Sequence, residues 1–340
     1  MDAKAFITDC DGAAVTAEER ALFAGERPWG LIVFGRNVQS REQLTDLTAE
    51  FRDIVGRPDA PVLVDQEGGR VQRLQPPLWR QLPPASAIGA LHAYDPEGAA
   101  RAAWLKARLI AFDLHEVGID VDCLPCLDVP VPGAHEVIGE RAFSRDPAVV
   151  AALGRATVDG LLAGGVLPVM KHMPGHGRAD ADTHFDLPTV DASLEELDRT
   201  DFAAFVPLAD VPMGMTVHLV LAAVDPDRPA TQSPRVIEEV IRGRLGFDGL
   251  LMTDDLSMQA LGGDVARRAV LCLDAGCDMV LHCNDTMENR RAVGRAVRPL
   301  AGLAAKRAED ALAARRAPEP FDAAAAWDEL EMRLGKAVAA

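Results

Sequence analysis

This 340-residue chain lacks the features of membrane, exported and nucleic-acid-binding proteins. It contains no run of 18 apolar residues, and its start, Met1 to Asp9, has no basic segment leading into a long apolar one. We therefore expect a cytoplasmic protein that does not bind a membrane. The 35 Lys and Arg against 52 Asp and Glu give a net charge of −17, which disfavours a nucleic acid partner.

Clustered cysteines are also lacking. The chain has 6 cysteines, and only Cys123 and Cys126 lie close together. Without a second such pair or a neighbouring histidine cluster, this spacing does not favour a zinc or redox site. We expect reduced cysteines that act as small apolar residues, and no metal or cofactor.

Short apolar runs alternate with segments of helical periodicity along the chain, a pattern typical of repeated βα units. Most runs are continuously apolar, as expected for parallel strands buried on both faces. The predicted strands are residues 5–9, 30–34, 61–65, 118–123, 166–171, 213–218, 249–253 and 278–282. The predicted helices are residues 17–24, 41–55, 97–117, 147–163, 194–208, 234–245, 265–275 and 286–303.

Eight strands alternating with eight helices predict an α/β fold, a (β/α)8 TIM barrel. A short helical C-terminal extension is expected at about residues 305–340. No linker rich in Pro, Ser or Gly divides the chain, so residues 1–340 are expected to form a single catalytic domain. The alternative is an open doubly wound sheet, but the GxGxxG turn typical of that fold is missing after Asp9.

Polar residues accumulate where the predicted strands end, which is where a TIM barrel carries its chemistry. These residues include Asp65, Lys171, His172, His218, Asp254 and Asp255. Each has a structural alternative when taken singly: Asp254 could cap a helix, and Asp65 could form a loop ion pair with Arg73. Their joint placement around one rim favours a catalytic site.

The segment from Lys171 to Pro188 contains a loop too long for a plain connection between a strand and a helix. Asp182 and His184 lie two residues apart in this loop. That spacing lets the carboxylate bond one imidazole nitrogen while the other nitrogen faces a substrate. It is the arrangement of a histidine acid/base with an orienting carboxylate.

Four motifs in this order resemble glycoside hydrolase family three, in its branch of single-domain bacterial β-N-acetylhexosaminidases of peptidoglycan recycling. The motifs are DQEGGRVQR at 65–73, GER at 139–141, KHMPGHG at 171–177 with DTH at 182–184, and TDDLSM at 253–258. The resemblance runs from Asp9 to about Cys283.

This resemblance implies a retaining exo-β-N-acetylglucosaminidase that acts on small peptidoglycan fragments as a monomer. Asp254 is implied as the nucleophile, His184 as the acid/base, and Asp182 as the residue that orients His184. The residues implied to hold the terminal N-acetylglucosamine are Asp65, Arg73, Arg141, Lys171 and His172.

Two other functions fit the same barrel. A metal-dependent hydrolase could use the rim histidines as ligands, but the His-x-His pair usual at the first strand of such barrels is missing from residues 8–11. A sugar-binding barrel without catalysis is the second alternative. The presence of both Asp254 and His184 argues against it.

Overall fold

The structure is a computed structural model that describes residues 2–133, 137–179 and 186–338. Eight parallel strands close into a barrel in chain order, which confirms the predicted (β/α)8 TIM barrel. The strands are β1 (Lys4–Thr8), β2 (Pro28–Val33), β3 (Val62–Val64), β4 (Val121–Asp122), β5 (Leu167–Met173), β6 (Met213–Thr216), β7 (Leu250–Asp255) and β8 (Met279–Leu281). β8 pairs with β1, with Ile7 beside Leu281, and this pairing completes the closure.

Helices surround the barrel, and several begin at the residues that the sequence indicates. The helices are Ala17–Glu26, Arg41–Val55, Ala85–His92, Pro96–Glu116, Pro147–Ala163, Leu194–Arg199, Val265–Ala275, Met287–Ala296, Gly302–Ala313 and Ala323–Val338, with a π-helical segment at Val236–Arg244. Thr16 and Glu19 form a capping box, in which each side chain accepts the other's backbone N–H. A separate pair of two-residue strands, Thr189–Val190 and Val220–Leu221, lies outside the barrel.

Two predicted helices are wrong in extent. The helix expected at 286–303 is split into Met287–Ala296 and Gly302–Ala313. Val297 adopts an extended conformation and Pro299 follows, and proline cannot continue the helical hydrogen bonds. The helix expected at 194–208 ends at Arg199, because Thr200 leaves the helical region with φ −122° and ψ −87°.

The last two helices correspond to the expected C-terminal extension. Ala323–Val338 packs beside Pro96–Glu116, where Arg101 forms an ion pair with Glu329 at 2.8 Å. None of the helices in the described ranges is long and apolar enough to cross a membrane. A single domain over residues 1–340 stays a prediction.

Candidate active site

The carboxyl ends of the barrel strands surround a cavity of about 190 Å³. Its lining includes six residues that the sequence predicts for the site: Asp65, Arg73, Arg141, Lys171, His172 and Asp254. Ile32, Met215 and Leu281 add apolar surface. The barrel therefore gathers residues from four separate motifs at one mouth, as expected for the catalytic face of this fold.

Lys171 lies at the centre of a buried charge cluster. Its Nζ is 2.8 Å from Asp65 Oδ1 and 2.6 Å from Glu67 Oε1, and its side chain is 2% exposed. Burial alone would lower the pKa of Lys171, but the two carboxylates outweigh burial and raise it above its ordinary value. Lys171 is therefore a fixed cation in the cavity.

Arg141 continues the cluster on the side of Glu67. Its Nε and Nη2 donate to the two Glu67 oxygens at 2.9 and 2.8 Å, the bidentate geometry that suits a guanidinium and a carboxylate. Burial alone would raise the pKa of Glu67, yet the charges of Arg141 and Lys171 hold it below its ordinary value. Glu67 thus stays ionised and fixes both cations beside the cavity.

Arg73 forms the outer edge of this wall. Its Nη2 lies 3.4 Å from Asp65 Oδ2, and its guanidinium lies over the Phe34 ring at 5.6 Å. The Gln66 side chain accepts the backbone N–H groups of Arg73 and Leu74 at 2.9 and 3.0 Å. The loop after β3 is therefore held by its own side chains.

A Gly68-Gly69 turn makes this loop arrangement feasible. Both glycines have positive φ, at 85° and 58°. A Cβ at Gly69 would lie 2.7 Å from Glu140 Oε1, which accepts the backbone N–H of Arg70 at 2.7 Å. The turn needs glycine for both its conformation and its close packing.

The two adjacent carboxylates at the end of β7 have different surroundings. Asp255 is buried and accepts the N–H of Ser257 at 3.0 Å and that of Cys283 at 3.1 Å. Within the described ranges, Asp254 accepts a hydrogen bond only from the amide of Asp255, at 2.8 Å, and it lines the cavity. Asp255 holds the loops together, while the Asp254 carboxylate has capacity to contact a ligand.

A further buried carboxylate, Asp9, follows β1. It forms ion pairs with Arg36 and Arg290 and accepts the N–H of Asn284 at 2.7 Å. Burial raises the pKa of Asp9 to about 6. Asn284 itself lines the cavity, so Asp9 fixes the wall on the β8 side.

The His172 ring contacts the buried carboxylate of Asp128 on the side away from the cavity. The His172 Nδ1 lies 2.6 Å from Asp128 Oδ2, and its Nε2 lies 3.5 Å from Arg141 Nη2. Asp128 also accepts the N–H of His176 at 2.7 Å. The ring that was predicted to contact a sugar is thus held through Nδ1, while its Nε2 has only a long contact with Arg141.

Cys126, Asp128 and His172 bring three atoms that could bind a metal within 4.8 Å of one another. The three residues form a hydrogen-bonded cluster, since Cys126 Sγ lies 3.2 Å from the same Asp128 oxygen that His172 contacts. Burial raises the pKa of the Cys126 thiol well above its ordinary value, which disfavours the thiolate that a metal would need. Independence from metals stays a prediction.

His218 has the structural role that sequence analysis left open. It is fully buried, and its Nε2 contacts the backbone oxygen of Asp255 at 3.0 Å. Burial lowers its pKa, so its neutral form is favoured. It supports the loop after β7.

The predicted acid/base His184 and its partner Asp182 lie outside the described residues, which end at Ala179 on one side and resume at Asp186 on the other. Their roles stay predictions.

Glu67 and Asp128 were not singled out from the sequence. Glu67 belongs to the motif at 65–73 and lies two positions after Asp65. This position near the end of a predicted strand could have indicated that it lies close to the same cavity. Asp128 lies six residues after the end of β4. Its position beyond a strand end was the one sequence feature that could have marked it as a candidate site residue. The partners of these two carboxylates, Arg141 for Glu67 and His172 for Asp128, are too distant in the sequence to be predicted from local spacing.

Comparison with known proteins identifies the family of this chain. The model of the glycosyl hydrolase family 3 N-terminal domain matches residues 8–314. The beta-hexosaminidase of Stenotrophomonas maltophilia strain R551-3 is 41% identical over 277 residues, which cover 80% of this chain and 81% of that protein.

Two crystal structures of NagZ from Neisseria gonorrhoeae share the fold. The native form has a TM-score of 0.87 and 31% identity, covering 99% of this chain and 98% of that chain. The complex with N-trifluoroacetyl-D-glucosamine has a TM-score of 0.84 and 32% identity, covering 100% and 97%. With the family model matching most of the chain, the resemblance carried by the four motifs is confirmed, and the chain belongs to glycosyl hydrolase family 3.

Proposed function

We propose that this glycoside hydrolase is a retaining exo-β-N-acetylglucosaminidase. Its substrates would be peptidoglycan fragments, GlcNAc-1,6-anhydroMurNAc and its peptides, from which it removes the terminal non-reducing N-acetylglucosamine. The observation that carries the proposal is the shared cavity, in which the Asp254 carboxylate lies with the cluster around Lys171. Similarity to a beta-hexosaminidase, and to a NagZ crystallised with N-trifluoroacetyl-D-glucosamine, supports an N-acetylated sugar.

The charge cluster has the donors and acceptors to hold one pyranose ring. The Lys171 ammonium group has three N–H bonds, and two of them are directed at the carboxylates of Asp65 and Glu67. The third N–H can therefore donate to a sugar hydroxyl. Asp65 offers carboxylate oxygens as acceptors, and Arg73 and Arg141 offer further guanidinium donors. With His172 these groups would bind the hydroxyls and the acetamido group.

Asp254 is proposed as the nucleophile. Its carboxylate attacks the anomeric carbon as the bond from that carbon to the leaving oxygen breaks, giving a glycosyl-aspartate. Water then attacks the same carbon and releases Asp254, so two inversions retain the configuration. The adjacent Asp255 is already engaged by Ser257 and Cys283, which supports Asp254 as the reacting carboxylate.

His184 is proposed as the acid/base, with Asp182 orienting it. In the first step His184 gives its proton to the leaving oxygen, and in the second it takes a proton from the attacking water. Histidine, with an ordinary pKa of about 6.5, can do both near neutral pH. A neighbouring carboxylate would stabilise the charged ring.

We infer that the enzyme acts as a cytoplasmic monomer, without metal or cofactor, on a small-molecule carbohydrate. The net charge of −17 supports a partner other than nucleic acid.

The test uses the full chain with 4-nitrophenyl β-N-acetylglucosaminide, the matching glucoside and the matching xyloside, each with and without EDTA. We expect release of nitrophenol from the first substrate, with kcat/KM roughly 100-fold or more above that for the glucoside, because a site that binds the acetamido group rejects a sugar without it. Loss of activity in EDTA would indicate a metal-dependent hydrolase. Binding without release would indicate a sugar-binding protein.

A further inference from the structure

Asp128 is fully buried beyond the end of β4, and its two carboxylate oxygens have separate partners. Oδ1 accepts the backbone N–H of His176 at 2.7 Å and that of His172 at 3.3 Å. Oδ2 faces the His172 ring, with Nδ1 at 2.6 Å. Asp128 is not part of the cavity lining, so any effect on a ligand passes through its neighbours.

These contacts favour one position for the proton of a neutral His172 ring. An ionised carboxylate only accepts hydrogen bonds, so a neutral ring bonded to Asp128 must carry its proton on Nδ1. At the other side of the ring, Arg141 Nη2 lies 3.5 Å from Nε2. A guanidinium only donates, so this contact also favours a lone pair on Nε2, and at 3.5 Å it is too long to occupy that lone pair.

We propose that Asp128 is a positioning residue that keeps His172 in the Nδ1–H form, so that Nε2 presents a lone pair to the cavity. The bound sugar then donates a hydroxyl or acetamido hydrogen to Nε2. This inference rests on the proposed function, in which His172 contacts the sugar.

Asp128→Asn tests the inference with little change of shape. The N–H groups of His172 and His176 are backbone donors, so the Asn oxygen must stay on their side. The amide NH2 then faces the ring, and Nδ1 must become the acceptor. The proton moves to Nε2, and His172 presents a donor where the sugar needs an acceptor.

Kinetics on 4-nitrophenyl β-N-acetylglucosaminide separate this role from a structural one. We expect Asp128→Asn to lower kcat/KM by about 10- to 100-fold, as loss of an orienting carboxylate behind a histidine does at metal sites. In a His172→Gln background the same change should alter kcat/KM by less than about 3-fold. Equal losses in both backgrounds would overturn the inference, because Asp128 would then act only by holding the backbone of His176.

Asp120→Asn is the matched control. Asp120 is a partly buried aspartate just before β4, where it pairs with Arg52 and Arg315 away from the cavity. Its loss should lower stability and leave kcat/KM unchanged. If Asp128→Asn and Asp120→Asn lower stability equally and neither changes kcat/KM, Asp128 has no positioning role.

A direct measurement does not depend on turnover. Imidazole 15N spectra of the histidine-labelled wild type, with His172 assigned by its loss in His172→Gln, report which nitrogen carries the proton. We expect a protonated Nδ1 and an unprotonated Nε2 in the wild type, and the reverse in Asp128→Asn. Protonated Nε2 in the wild type would overturn the inference, even if the variant fails to fold. Absence of hydrolysis with the expected spectrum would instead refute the proposed function.

Discussion

Lys171 Nζ lies 2.8 Å from Asp65 Oδ1, although the two residues are 106 positions apart in the chain. The contact joins the end of β5 to the loop after β3, and Glu67 shares the same ammonium group at 2.6 Å. Such a buried cluster is stable only as a set, because removal of one member leaves an opposite charge without its partner. It therefore links the stability of the barrel mouth to the sugar contacts proposed for it.

Lys171→Met should reduce both stability and activity. The variant leaves the buried Glu67 and the largely buried Asp65 short of a cation, so we expect the free energy of unfolding to fall by about 3 kcal/mol. Urea denaturation provides the measurement. Lys306→Met is the control, since Lys306 forms an exposed pair with Asp310, and its loss should cost less than about 1 kcal/mol. Equal effects of the two substitutions would argue against a coupled cluster.

Gly69→Ala should destabilise the loop after β3. The φ of 58° is unfavourable for alanine, and the added Cβ would lie 2.7 Å from Glu140 Oε1 and 2.9 Å from Pro84 Cβ. We expect a loss of about 1 to 3 kcal/mol, measured by urea denaturation. Gly12→Ala is the control, because nothing lies within 4 Å of its added Cβ and its φ is not positive. A Gly69→Ala protein as stable as Gly12→Ala would show that the turn can relax.

The sequence was sufficient for the barrel because its strands are continuously apolar and its helices carry capping residues such as Thr16 and Ser40. It was insufficient where a single residue decides where a helix ends, as at Pro299, which separates two helices that were predicted as one. In the site, the rim residues could be predicted from their position at or just beyond the ends of strands. The pairing of His172 with Asp128 could not be predicted, because the two residues are 44 positions apart and meet only through the relative placement of β4 and β5.

Lys106 gives a pH-dependent prediction for stability. It is buried on the helix Pro96–Glu116, and burial lowers its pKa to about 8 from an ordinary value of 10.5. Between these pH values the unfolded chain binds more protons at Lys106 than the folded one, so wild-type stability should rise with pH over this window. Below pH 8 the buried ammonium costs stability, and Lys106→Met removes that cost.

The measurement compares unfolding of Lys106→Met and wild type at pH 7.5 and pH 10.5. We expect the advantage of the variant to shrink with rising pH by on the order of 3 kcal/mol, because the pKa of Lys106 is lowered from 10.5 to about 8 in the folded state. Lys306→Met should show no such change relative to wild type. A difference that stays constant with pH would mean that Lys106 titrates alike in both states.

Asp254→Asn should abolish turnover while the fold stays intact. The carboxylate is proposed as the nucleophile, so we expect kcat on the aryl N-acetylglucosaminide to fall by at least about 1,000-fold. The melting temperature should change little, because Asp254 is not part of the core. Asp248→Asn, an exposed change just before the same strand, should keep full activity. Turnover of Asp254→Asn within tenfold of wild type would exclude Asp254 as the nucleophile.

The most direct test of the account is the trapping of a covalent intermediate on Asp254. The enzyme is incubated with a 5-fluoro analogue of N-acetylglucosamine that carries an activated leaving group, and peptide mass mapping locates the added sugar. We predict one sugar per chain, attached to Asp254, with net retention at the anomeric carbon. Absence of an adduct, together with strong inhibition by a thiazoline mimic of the cyclised acetamido group, would contradict the account, because the substrate's own acetamido oxygen would then be the nucleophile.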